Sequence, residues 1–233
     1  MKKVLLCALM VAASSSYAAY GESTPIPSDL KGVHIIPMRE QNIAMAMKKE
    51  VILNQKEEKL NGYIKTDDNS AGYLLNIKRS STQSLKALSK VGDVYDTSMK
   101  KDFHEIKLLF PYSGVTVVNK NQVIGYAAVG TYIKEKNKEG WDGVRSFFTT
   151  EMGTCSASRM GIKAAELSQE TTEYLVNKKP SNRVIKGNIN EGFVYTLTWY
   201  TDTTMNIFEC ANKSLKDDIM AKMIEAANKI DKQ

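Results

Sequence analysis

Two histidines, three cysteines and a surplus of lysine and serine hold most of the reactive chemistry available to this 233-residue chain. His104 opens the run His104-Glu105-Ile106-Lys107-Leu108, and a zinc peptidase helix would need a second imidazole four residues on, so that both rings face one metal. Leu108 stands in that place, and the motif fails. His104 and Glu105 remain only as acid–base candidates for a hydrolase whose site has no recognisable motif.

Serine motifs end the same way. Ser28-x-x-Lys31 and Ser98-x-x-Lys101 set a lysine one helical turn from a hydroxyl that it could deprotonate, but with 27 lysines such spacing arises by chance. Neither has the downstream Lys-Thr-Gly of a penicillin-recognising site, and the Gly-x-Ser-x-Gly pentad is absent. Gly125 to Gly130 and Gly187 to Gly192 have phosphate-loop spacing, yet Thr131 and Phe193 follow where a lysine is required. The carboxylate pairs Glu57-Glu58, Asp67-Asp68 and Asp217-Asp218 are sequence neighbours, whose side chains point apart on a helix or strand. Their expected work is solvation and, for Asp217, helix capping. The spacing predicts no catalytic, cofactor or metal site.

The cysteines carry a clearer signal, through the start of the chain. Lys2 and Lys3 precede an apolar run from Val4 to Ala13 and the small-residue stretch to Ala18, which is the layout of a cleavable export signal. That run of ten residues is far shorter than the roughly 20 that span a bilayer as a helix. Cleavage is expected after Ala18, or after Ala19. It discards Cys7 and leaves Cys155 and Cys210, an even pair that an oxidising compartment should join. Closing a loop of about 55 residues restricts the unfolded chain by on the order of 4 kcal/mol.

Charge excludes one class of partner. The 32 basic and 26 acidic residues give +6, and loss of Lys2 and Lys3 leaves 30 against 26, or +4. Only Arg39, Arg79, Arg145, Arg159 and Arg183 are arginines, the residue suited to bidentate reading of phosphates and base edges, and the lysines are scattered among acids. No nucleic-acid partner is expected. No later stretch reaches 18 uninterrupted apolar residues, so no transmembrane helix is expected in the mature chain.

The elements that must carry these residues follow from periodicity. Residues 19–38 hold Pro25, Pro27 and Pro37 and should form an extended arm, in which Val33 to Ile36, with His34, could add an edge strand. A helix is predicted from Arg39 to about Leu60, a hairpin over Tyr63–Lys65 and Tyr73–Lys78, a helix from Ser81 to Val91 and a short one after Asp96. Strands are predicted over Gly114–Val118, Val123–Ile133 and Val144–Glu151, then a helix over Ile162–Gln169. Thr172–Asn177, Arg183–Ile189, Phe193–Thr201 and Met205–Cys210 should follow as an antiparallel meander, with Lys179-Pro180-Ser181-Asn182 as one of its turns. An amphipathic helix, opened by Ser214 and carrying Leu215, Ile219, Met223, Ile224, Ala227 and Ile230 on one stripe, should close the chain.

The expected architecture is α+β: an antiparallel meander-type sheet packed by helices in two layers, with a helical N-terminal half and a C-terminal amphipathic helix. After the signal peptide (1–18) and the arm (19–38), residues 39–233 read as one domain, helix-rich over 39–112, strand-rich over 113–210, with a terminal helix over 214–231. In Phe193–Thr201, Phe193, Tyr195, Leu197 and Trp199 fall on one face and Thr196, Thr198 and Tyr200 on the other. This second, wetter face is the expected binding face, with Tyr174 and Arg183 near it. The functional expectation is a soluble, non-enzymatic periplasmic or secreted protein that binds an envelope component, a ligand or a host molecule. The alternatives are a subunit of an envelope secretion or conjugation assembly and an exported hydrolase with an unrecognised site.

Overall fold

Period-two alternation in the second half of the chain builds the structure around one sheet. A computed structural model describes residues 32–84, 122–129, 132–133, 138–139, 143–162, 165–202 and 204–232. The export signal, most of the arm, most of the helix predicted over Ser81–Val91, the one after Asp96 and the strand at 114–118 lie outside these residues. At the described start of that helix, Ser81 ends a 3-10 turn and Gln83 bridges Tyr126 instead.

The first described elements are β1 (Val33–Ile36), α1 (Met45–Asn61), β2 (Ile64–Lys65) and α2 (Ser70–Leu75). Strands follow: β3 (Val123–Val129), β4 (Tyr132–Ile133), β5 (Lys138–Glu139), β6 (Gly143–Thr150), β7 (Gly153–Gly161), β8 (Ala165–Ser168) and β9 (Glu173–Val176). Then come β10 (Lys179–Asn188), β11 (Gly192–Tyr200), β12 (Thr204–Asn212) and the last helix, α3 (Ile219–Asp231). The main sheet runs β2-β10-β11-β12-β7-β6-β3, with β9 also paired to β10. All its pairings are antiparallel except β2 on β10. β1 pairs in parallel with β8, and β4 pairs with β5.

The expected α+β class and the meander with its terminal helix are present. The predicted helical N-terminal half is not: among described residues before 85 there are α1, the six-residue α2 and two short 3-10 turns. α1 starts at Met45 rather than Arg39, because Pro37 leads only into a 3-10 turn and the chain is extended again at Gln41. Gly62 ends it with a left-handed φ of 80°, donating its N–H to the Glu58 carbonyl at 2.7 Å. The hairpin expected at Tyr73–Lys78 gives way to α2, where Asp68 Oδ1 accepts from the Ser70 N–H at 2.9 Å as the chain turns in.

Two further predictions fail for tertiary reasons. Ile162–Gln169 reads as helix by local propensity, but β8 within it is held as a strand by β1. The turn predicted at residues 179–182 lies inside β10; the chain reverses instead at Asn177 and Lys178, with φ of 45° and 60°, the geometry of a tight primed hairpin turn.

The layers number three rather than two. Phe193, Tyr195, Leu197 and Trp199 face α3, joining Phe208, Ala157 and the disulfide in the principal core with Met223, Ala227 and Ile230. On the opposite face α2 packs through Ala71 and Leu74 on Phe147, Val194 and Ala211. Farther along that face, Tyr200 is covered by Val33 of β1 and Leu167 of β8.

α3 is pinned at both ends. Tyr195 OH donates to the Lys216 carbonyl at 3.1 Å and accepts from the Lys216 N–H at 2.6 Å. Asp231, buried, accepts from Lys179 Nζ at 2.6 Å, Asn177 Nδ2 at 2.8 Å and Trp199 Nε1 at 3.0 Å. The predicted cap is displaced: α3 begins at Ile219 behind Asp218, so Ser214 and Asp217 precede the helix and Leu215 is exposed. Cys155 and Cys210 are disulfide-bonded across the β7–β12 pair, their Cα atoms 4.0 Å apart. Among described residues, no helix is long and apolar enough to cross a membrane.

Candidate functional site

Cross-strand register lines up the polar face of the sheet in rows. Phe147, Ser156, Glu209, Thr196 and Val184 form one row across β6, β7, β12, β11 and β10. Arg145, Ser158, Ile207, Thr198 and Asn182 form the next. Residues in adjacent rows on neighbouring strands stand within reach of a long side chain. Arg145 uses that reach, donating from Nε and Nη2 to Ser156 Oγ at 3.0 and 2.9 Å and from Nη2 to Glu209 Oε2. Ser156 Oγ in turn donates to Glu209 Oε2 at 3.2 Å. The Arg145 guanidinium also lies 5.3 Å from the centre of the Phe147 ring. The pair is largely withdrawn from water, with 26% of the Arg145 and 17% of the Glu209 side chain exposed.

This cluster borders a groove of about 400 Å³ between the sheet and α1. Val184, Lys186, Val194, Thr196 and Glu209 make its floor, Met47, Glu50, Val51 and Asn54 of α1 one wall, and Asp68, Ser70 and Ala71 an end. A second hollow, lined by Tyr73, Asn69 and Arg145, shares Ser70, Val194 and Glu209 with the first. Gly187 lets the floor bend: its φ is +154° and a Cβ there would lie 2.1 Å from the Gly192 carbonyl oxygen.

Asp68 is electrostatically set within the groove. Partial burial works to raise its pKa, but hydrogen bonds from the Ser70 side chain and backbone and from Thr66, together with the Lys186 charge, outweigh it and hold the carboxyl below its ordinary value. The groove thus offers an apolar stripe with an ionised carboxylate and a lysine side by side. It has the size and mixed lining of a small-molecule or side-chain pocket.

Of the three residues expected on the wet face, Thr196 lies in the groove, while Thr198 and Tyr200 are buried. Burial pushes the Tyr200 phenol up to about 12. Asn182 Oδ1 and Thr198 Oγ1, opposite each other in register, are buried with no hydrogen-bond partner. Arg183 falls on the other face with Leu197 and contacts Glu173 at 3.3 Å, and Tyr174 is half-buried on β9. His104 and Glu105 lie outside the described residues. His34 is exposed on β1 opposite Glu166. Among described residues, no three of His, Cys, Asp or Glu converge as metal ligands.

Arg145, Ser156 and Glu209 were missed in the sequence. Thr154, Ser156 and Ser158 alternate with Cys155 and Ala157, a polar stripe on a strand whose other face is core, and that alternation was the available signal. No protein-family model matches the chain, and none of the curated proteins or solved structures compared with it is similar to it.

Proposed function

We propose that the mature chain is an exported ligand-binding protein, and that the groove between α1 and the sheet holds a small amphipathic ligand with an apolar body and a hydrogen-bond-donating or cationic head. The observation that carries this reading is the lining itself. Met47, Val51, Val184 and Val194 supply apolar contact, while the carboxylates of Glu50 and Asp68 outnumber the single ammonium of Lys186, Glu209 being held by Arg145. Acceptors therefore prevail where the ligand's polar end would rest. The Cys155–Cys210 bond supports export, since such bonds persist in oxidising compartments. The layout of residues 1–18 supports it independently.

Native mass spectrometry of the protein captured from its own envelope fraction tests the reading, with amino-terminal sequencing of the same sample. The expected result is a chain starting at Ala19 or Tyr20 that carries a bound small molecule. Met47→Trp and Thr196→Tyr, which fill the groove, should release the ligand and melt at the temperature of the ligand-free wild type. A wild-type chain without ligand, or filled variants that keep it, would remove the groove from the account. An intact segment 1–18 on extracytoplasmic protein would remove the cleavage.

A further inference from the structure

The wall of the groove is a helix with two different sides, and the outer side is unlike an ordinary solvated surface. Met45, Ile52, Leu53 and Leu60 are 73%, 46%, 62% and 83% exposed. At 100° per residue they share an arc of about 140° with Lys49, Lys56, Lys59 and Ala46. That arc contains no acid; Glu57 and Glu50 fall at its border, and Glu50 already turns into the groove. Four large apolar side chains interleaved with exposed lysines, along some 25 Å of helix, cost free energy in water.

We infer that the outer face of α1 docks flat on an anionic lipid surface. The apolar side chains would enter the headgroup boundary while the lysine stems run along it and place their ammonium groups among lipid phosphates. Charge selects this occupant over a second copy of the chain, because self-pairing through the arc would set Lys49 and Lys56 against their own counterparts with no carboxylate between them. The net charge of +6, or +4 without Lys2 and Lys3, adds long-range attraction of the same sign. Docking in this way leaves the inner face of α1, and the groove behind it, unobstructed. The inference does not depend on what the groove binds.

Co-sedimentation of the mature protein with vesicles tests it. Binding is expected to vesicles of phosphatidylcholine with 30 mol% phosphatidylglycerol, on the order of 100-fold stronger than to phosphatidylcholine alone, and to weaken with salt. Lys49→Gln and Lys56→Gln should each lower binding to the anionic vesicles about fivefold. Leu53→Gln with Leu60→Gln should lower it at least tenfold. Circular dichroism and melting report whether each variant keeps the wild-type fold, as these exposed positions should allow. No preference of the folded wild type for anionic vesicles, or binding untouched by the α1 substitutions, would overturn the inference. So would a photo-crosslinker at position 53 that captures a protein rather than lipid in native envelopes.

Discussion

α3 and α1 lie on opposite faces of the same sheet and are opposites in how they use it. α3 buries Ile219, Met220, Met223, Ala226, Ala227 and Ile230 and is tied at each end by hydrogen bonds to Tyr195 and Trp199. α1 is longer, yet buries Val51 alone and leaves four large apolar residues in the open. One sequence thus spends its apolar residues in two ways: α3 closes a core, and α1 encloses a groove. Stability should concentrate on the α3 side and binding on the α1 side.

The comparison can be broken at several points. The largest effect should come from replacing Cys155 and Cys210 together with alanine, which frees a 55-residue loop on the α3 side. A loss on the order of 4 kcal/mol corresponds to a melting temperature lower by about 8–16 °C in calorimetry. Met223→Ala comes next. It empties a fully buried site under α3, and about 3 kcal/mol, or roughly 6–12 °C, is the expected cost. Leu53→Gln on α1 should stay within about 0.5 kcal/mol of wild type in urea unfolding. A cost like that of Met223→Ala would show that the α1 face is covered in the native protein and would end the contrast.

The smallest effect is at the groove itself. The folded-state pKa of Asp68 is depressed, so its contribution is fully present above the ordinary carboxylate value and is lost as pH falls through the folded value. Asp68→Asn should therefore leave neutral stability slightly lower and flatten its decline below about pH 4. Asp68 is mostly exposed, which keeps the difference to about 0.3 kcal/mol. Unfolding curves at pH 3 and pH 7 measure it; an unchanged acid limb would show that Ser70 and Lys186 do not stabilise the carboxylate.

What was legible in the sequence follows the same division. Phe193, Tyr195, Leu197 and Trp199 repeat every second residue because a single large core selects them, and α3 repeats Met223, Ala227 and Ile230 for the same core. On the other face the selection is weaker. Ile52 and Leu53 look like core residues by type but are exposed. Ala165 to Ser168 has no strong strand pattern, and only the distant Val33–Ile36 makes it a strand. Pro180 suggested a turn, yet it sits where β9 and β10 slip register, a place that tolerates proline. The groove joins residues from α1, the α2 entrance and three strands, and no local spacing could announce them.

The disulfide closes a ring that contains β8, β9, β10 and β11 whole, while both chain ends lie outside it. Tension applied between the ends is therefore carried across sulfur rather than through those strands. A molecule pulled open from its termini should extend about 190 Å less than its contour length until the bond is reduced. A single peptide-bond cut at the exposed Ile189 turn would leave one covalent body, and only a reductant would part it into two.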